Sequence, residues 1–168
     1  MTVGIVVGNP KPRSRTYAAA RAVVQSLTGS DPDFAIDLVE FGGGLLDWSD
    51  PQVAEGVEQV KAARLVVIAS PTFKATYSGL LKLFLDRFPS GSLSGVTAIA
   101  LQLGGDWRHS LAPEVFLKPV LAEIGASTPT RALYLLDSDA EAGFETSAIF
   151  QAWLEVAREQ LAGLAVPR

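Results

Sequence analysis

The sequence predicts an α/β protein built on one doubly wound parallel sheet of five strands in the order 2-1-3-4-5, occupying a single domain over residues 1–168. Three observations lead there. Strand-like and helix-like patterns alternate five times along the chain, as in a parallel sheet covered by helices on both faces through right-handed crossovers. The runs at Val3–Gly8, Leu65–Ala69 and Val96–Leu103 are almost continuously apolar, as expected of strands buried on both faces. A length of 168 residues is about one domain's worth, enough to bury roughly two-thirds of the unfolded surface in one core.

Each element has its own signal. Val3–Gly8 reads as the first strand and Arg15–Leu27 as the first helix. Phe34–Phe41 alternates apolar and polar residues and keeps Asp37 and Glu40, which predicts a second strand at the edge of the sheet. Asp50-Pro51 is a start signal for a helix over Gln52–Ala63. The third strand, Leu65–Ala69, leads to a helix over Gly79–Phe88 with Ser78 as its cap. The fourth strand precedes a helix over Pro113–Ile124, which Pro119 should kink because it lacks a donor. Arg131–Leu136 is the fifth strand, and Glu141–Leu164 reads as one long helix that is open to a break. Five strands in this arrangement give the flavodoxin-like order, with the ligand crevice beyond the carboxyl ends of strands one and three.

Composition removes several classes of function. A formal charge of -4, with no basic run, argues against nucleic acid and anionic membranes as partners. Cysteine is absent, which excludes disulfides, thiolate nucleophiles and cysteine metal sites and fits a reducing compartment. "MTVGIVVGNPK" has no basic segment ahead of its short apolar run and reads as a strand, and no window reaches the ~18 apolar residues of a membrane span. The expectation is a soluble cytoplasmic protein. At 48% hydrophobic and 19% charged residues the chain is more apolar than an average soluble domain, which leaves room for buried surface between subunits.

Strand one ends in "GNPKPRSRTYAAA". A dinucleotide fingerprint would place three glycines here. Gly8 stands alone, and Pro10 and Pro12 each remove a backbone N–H, so anion binding shifts to Arg13-Ser14-Arg15-Thr16 at the start of the helix. Such a site suits a compact phosphate monoester; the plainer account is a helix cap with solvated arginines. The loop after strand three, Ser70–Tyr77, offers flat apolar contact, peptide N–H groups and hydroxyls, and carries no carboxylate, histidine or cysteine. It suits a neutral or weakly anionic heteroaromatic ring, with Lys74 able to favour negative charge on a ring nitrogen; the alternative is a capping loop with a solvated lysine. Gly104-Gly105 after strand four allows close backbone approach or a turn. Trp107 and Arg108 are candidates for a rim, and His109, the sole histidine, is read as a hydrogen-bonded structural residue.

These three segments resemble the flavodoxin-like NAD(P)H-dependent FMN reductases, and most of all the flavin reductases that serve monooxygenases in sulfonate assimilation. "GNPKPRSRT" is similar to the family's phosphate loop, with Asn9 where serine is usual; "SPTFKATYSGLLKLFLDRFP" to its flavin-ring loop and helix; and "LGGDWRHSLAPEVFLKPVLAEIGA" to its fourth loop and helix. The resemblance covers about the first three-quarters of the chain. It implies that Ser14, Arg15 and Thr16 hold the FMN phosphate, that Pro71, Thr72, Phe73, Lys74 and Ala75 lie along the isoalloxazine, and that Gly104 and Gly105 approach its pyrimidine end. It also implies hydride transfer from the nicotinamide of NADPH or NADH to flavin N5, with no obligatory protein base and so no catalytic side chain. Trp107-Arg108 and Pro113-Glu114 depart from the family pattern.

Three other functions compete with this one. An FMN-retaining quinone or azo reductase would use the same site and differ in how slowly FMN leaves. A flavodoxin-like electron carrier would want a phosphate loop rich in threonine and glycine and a more acidic chain. A phosphoacceptor domain needs an aspartate where Ser70 stands. The helix "SGLLKLFLDRFP" has apolar residues at 80, 81, 83, 84, 85 and 88, wider than one sheet face requires, and Phe116, Leu117, Val120 and Leu121 add to it; both point to at least a dimer, the alternative being deep burial under the chain's own loops, and the family resemblance implies a homodimer or homotetramer. A monooxygenase is the expected protein partner of the reduced flavin.

Overall fold

The computed structural model describes residues 1–164 and contains one parallel sheet. Its strands are β1 (Val3–Val7), β2 (Phe34–Asp37), β3 (Leu65–Pro71), β4 (Thr97–Gly104) and β5 (Leu133–Leu136), in the order β2-β1-β3-β4-β5. The helices are α1 (Arg15–Thr28), α2 (Pro51–Lys61), α3 (Gly79–Leu85), α4 (Lys118–Glu123) and α5 (Ala148–Gln160). Alternation along the strands divides the core. Val3, Ile5, Val7, Val67 and Leu101 pack against α1 and α5, whereas Val6, Val66, Ile68 and Ala100 pack against α2, α3 and α4. This is the flavodoxin-like arrangement that the element pattern predicted, with β2 at the edge. Among the described residues no helix is long and apolar enough to cross a membrane.

Helix starts follow their side chains. Asp50 Oδ1 accepts the Gln52 and Val53 N–H groups at 2.9 and 3.0 Å ahead of Pro51, and Ser78 Oγ accepts the Leu81 N–H at 3.1 Å. Ser14 caps α1 more loosely, accepting from Tyr17 N at 3.3 Å.

Several boundaries differ from the sequence reading: β3 runs on to Pro71, and α3 stops at Leu85 and not at Phe88. β2 ends at Asp37 and not at Phe41, because Leu38–Leu46 winds into 3₁₀ turns broken at Gly42, whose φ of 52° suits glycine. β5 begins at Leu133, two residues late. The helix expected over Pro113–Ile124 opens as a π-helical turn, Pro113–Leu117, in which the Lys118 N–H donates to Pro113 O five residues back; α4 then starts with Pro119 in its first turn. The missing N–H of Pro119 thus falls where the ladder widens. The tail is not one helix: Asp137–Glu141 and Phe144–Thr146 are separate 3₁₀ turns, and Gly143 at φ 89° divides them.

The outer stripe of α3 is narrower than its composition suggested. Leu81, Phe84, Leu85 and Phe88 are buried within the chain, Leu80 is half-buried and only Leu83 is exposed.

Candidate functional site

β1 and β3 run side by side with Val7 opposite Ala69, so the loops that follow them leave the sheet together. Two bonds tie them further. The Gly8 N–H donates to Ala69 O at 2.8 Å, and the buried Ser78 hydroxyl donates to Gly8 O while capping α3. Gly8 is required here: a Cβ would lie 2.5 Å from the Leu81 Cβ and 3.1 Å from Ser78 Oγ. β4 continues the rim, since Pro71 pairs with Leu103 and the Thr72 N–H donates to Leu103 O at 2.7 Å. Ser14–Thr16, Pro71–Ala75 and Gly104-Gly105 therefore lie beyond the carboxyl ends of the adjacent strands β1, β3 and β4, where this fold places its ligand crevice.

At the α1 end, Ser14 is extended (φ −68°, ψ 173°) and half-buried, and the N–H groups of Arg15 and Thr16, first in the helix, have no carbonyl to bond within it. Arg13 stands at φ 50°; its guanidinium lies 5.0 Å over the Tyr17 ring and donates to the Tyr17 hydroxyl at 3.2 Å. Arg15 is exposed and leans on Asp137, donating to its carbonyl at 3.4 Å. Thr16 is only 1% exposed, and its hydroxyl accepts from Asn9 Nδ2 at 3.0 Å, so this side chain props the loop from inside. Asn9 Oδ1 in turn accepts the Lys11 N–H at 2.9 Å.

At the β3 end, Ser70 is buried, and its hydroxyl accepts the Ser78 N–H at 2.8 Å. Beyond it Phe73 and Thr76 exchange two backbone hydrogen bonds, 2.9 and 3.2 Å, around Lys74 (φ 52°) and Ala75 (φ 69°). Two consecutive positive φ values make this a type I′ turn, which elsewhere calls for Asn-Gly. Thr72 Oγ is buried without a hydrogen-bond partner, and Phe73 is 48% exposed. On β4, a Cβ at Gly104 would fall 1.9 Å from the Tyr134 hydroxyl, so that glycine makes room for Tyr134; at Gly105 a Cβ would meet nothing within 4 Å. The Tyr134 hydroxyl donates to Asp106 O at 2.9 Å, and Trp107, 44% exposed, sits 5.8 Å from the Tyr134 ring. Arg108 forks onto its neighbour Asp106, which the guanidinium and the Arg108 N–H hold at a pKa of about 2. His109 is exposed and makes no side-chain hydrogen bond among the described residues, so it is not the hydrogen-bonded structural residue expected of it.

Sequence reading missed four contributors: Gly8 and Ser78 as the tie between loops, Tyr134 under Gly104, and Asp37. Asp37 marks the edge strand in the sequence, and in the structure it is also 4% exposed, with its Oδ2 accepting the Arg13 N–H at 2.9 Å.

The donor set fits a flavin mononucleotide. A hydroxyl and two unpaired amides at a helix start suit its phosphate, and the space over Gly105 and the outward turn at Lys74-Ala75 suit a flat ring.

Comparison with known proteins agrees. The profile of the NADPH-dependent FMN reductase family matches residues 1–141. An FMN reductase (NADPH) of Escherichia coli is 31% identical over 142 residues, 82% of this chain and 74% of the relative. The NADH-dependent FMN reductase SfnF of Pseudomonas putida is 28% identical over 140 residues, 79% of this chain and 75% of the relative. The crystal structure of the NADH:FMN oxidoreductase EMOB in its apo form superposes with a TM-score of 0.77 at 27% identity, over 97% of this chain and 87% of that one.

Proposed function

The chain belongs to the NADPH-dependent FMN reductase family, and on that premise we propose how its own residues carry an NAD(P)H-dependent reduction of FMN. FMN, when bound, supplies the ring N5 that accepts a hydride from nicotinamide C4. Ser14 Oγ, the amides of Arg15 and Thr16 and the Arg15 guanidinium would hold the phosphate, each charge-assisted bond contributing roughly 1.5–3 kcal/mol. The Pro71–Ala75 segment would support the ring, Lys74 would stabilise charge gathering on it, and Gly105 would leave room at the pyrimidine end. The work left to the protein is to hold two rings face to face and keep water out, which needs no protein base.

One observation carries this reading. Among the described residues the non-glycine residues at positive φ are Arg13, Lys74 and Ala75, and all three lie in the two loops that border the crevice. Each such residue costs about 1–3 kcal/mol, and strain of this kind concentrates where a ligand is held.

We further propose that the chain acts as a single FMN-binding domain in the cytoplasm, that reduced FMN passes to a partner monooxygenase, and that copies pair as a homodimer or homotetramer through the outer face of α3 and the neighbouring π turn, where Leu83, Val115 and Phe116 are exposed. Light scattering at micromolar concentration should give at least a dimer; a monomer alone would refute the pairing. For the activity, the test is steady-state oxidation of NADH and NADPH with and without added FMN. Turnover should rise with FMN at micromolar levels, an affinity of about 8 kcal/mol that dialysis removes. A protein that stays yellow after long dialysis and passes electrons to quinones or azo dyes would be the FMN-retaining reductase instead. No oxidation of either nucleotide with FMN present would refute the reading.

A further inference from the structure

The α1 end of the crevice depends on a residue outside all three loops. Asp37 closes β2 opposite Val7, and Val7 faces α1, so the carboxylate sits beneath the β1–α1 loop. It is 4% exposed: Oδ2 accepts the Arg13 N–H at 2.9 Å, and Oδ1 is buried with no partner. That is a costly position for a carboxyl group. Burial pushes its pKa above the ordinary carboxylate range, Glu40 adds to this, and the Arg13 N–H works against it.

What the bond secures is the neighbouring backbone. Arg13 stands at φ 50°, unfavourable for a residue with a side chain, and the next residue must be extended for its hydroxyl to cap α1. Pro12 fixes the chain just before, so the direction of the Arg13 peptide decides where Ser14 and the first two amides of α1 point.

We propose that Asp37 is the positioning residue for the flavin phosphate: by accepting the Arg13 N–H it holds the loop in the conformation that presents Ser14 and the α1 amides to a phosphate monoester. The role is that of an acceptor, which an amide oxygen performs as well. This inference rests on the phosphate site proposed above, and the test separates the two. FMN and riboflavin, which differ by the phosphate alone, are titrated against the protein by quenching of flavin fluorescence, with thermal midpoints measured alongside.

The wild-type protein should bind FMN at least about tenfold tighter than riboflavin, the equivalent of 1.4 kcal/mol. Asp37→Ala should erase most of that preference while leaving riboflavin affinity unchanged, and Asp37→Asn should restore it. Should Asp37→Ala fold poorly, the same bond can be cut from its other end: Arg13→Pro removes the N–H and forbids positive φ, and should lose more of the FMN preference than Arg13→Ala, which loses the same guanidinium but keeps its N–H. The inference is overturned if Asp37→Ala keeps the preference, if both flavins weaken together, or if Asp37→Asn falls as far as Asp37→Ala. A wild-type protein without preference for FMN would instead overturn the phosphate site itself.

Discussion

The two ends of the crevice are built in different ways. At the α1 end the loop is closed by side chains: Asn9 bonds Thr16, Asp37 bonds Arg13 and Ser14 caps the helix, and two prolines remove backbone freedom. At the β3 and β4 end the polar surface is largely backbone, a type I′ turn of Lys74-Ala75 with the open Gly105 beside it, and the exposed apolar side chains are the aromatics Phe73 and Trp107. A small, strongly charged group needs fixed donors in one place, whereas a broad, weakly polar ring needs area and a few peptide groups. The contrast between the ends is thus the contrast between the two halves of the ligand they would share.

The largest expected effect comes from separating the ends. Gly8→Ala drives a Cβ against the Leu81 Cβ at 2.5 Å and crowds Ser78 Oγ. Overpacking of this kind should destabilise the protein by about 3 kcal/mol in denaturant titration and weaken FMN at both ends. A neutral Gly8→Ala would show that the loops do not depend on their shared tie. Next is the turn. Replacing Lys74-Ala75 with Asn-Gly supplies residues that accept positive φ, and should stabilise the ligand-free protein by about 2 kcal/mol, raising its thermal midpoint by about 6 °C. An unchanged midpoint would mean that the ring end stores no strain. Ser14→Ala acts on the α1 end alone: FMN should bind about tenfold more weakly, 1.4 kcal/mol, with riboflavin unaffected. Equal weakening of both flavins would place the phosphate elsewhere.

The same division decides what could be read from sequence. Alternation and apolar runs sufficed for strand order and the edge position of β2, because burial on two faces dictates composition residue by residue. Local caps were legible too: Asp50 and Ser78 bond amides two or three residues away. The elements that escaped depend on partners far along the chain. Asp37 and Arg13 are 24 residues apart and Ser78 and Gly8 are 70 apart, and no local pattern marks such pairs. Gly104 read as a place for close approach, and something does approach it, but it is the Tyr134 hydroxyl from β5. The π turn before Pro119 likewise appears as a proline in the sequence and as a widened ladder only in three dimensions.

The smallest effect concerns charge at the ring end. Arg108 is the most exposed cation of the β4 loop, 83% accessible along its side chain, yet its guanidinium forks onto Asp106 with Nη2 to Oδ2 at 2.6 Å. If that fork persists in solution, Arg108 contributes little net charge to the crevice, and Lys74, which forms no ion pair among the described residues, is the cation left at the ring end. The pair has a direct readout, because Arg108 holds the Asp106 carboxyl down to about 2. A group whose folded pKa lies below its unfolded value, about 3.9, lends its stabilisation above that value and loses it as pH falls toward the folded one. Between pH 4 and pH 8 the loop should therefore show no dependence on Asp106, with any loss confined to the interval below. Carboxyl NMR titration should place the Asp106 midpoint near 2. A midpoint near 4 would mean that the fork is open, leaving Arg108 free beside Lys74, and the ring end would then be as cationic as the phosphate end it is contrasted with.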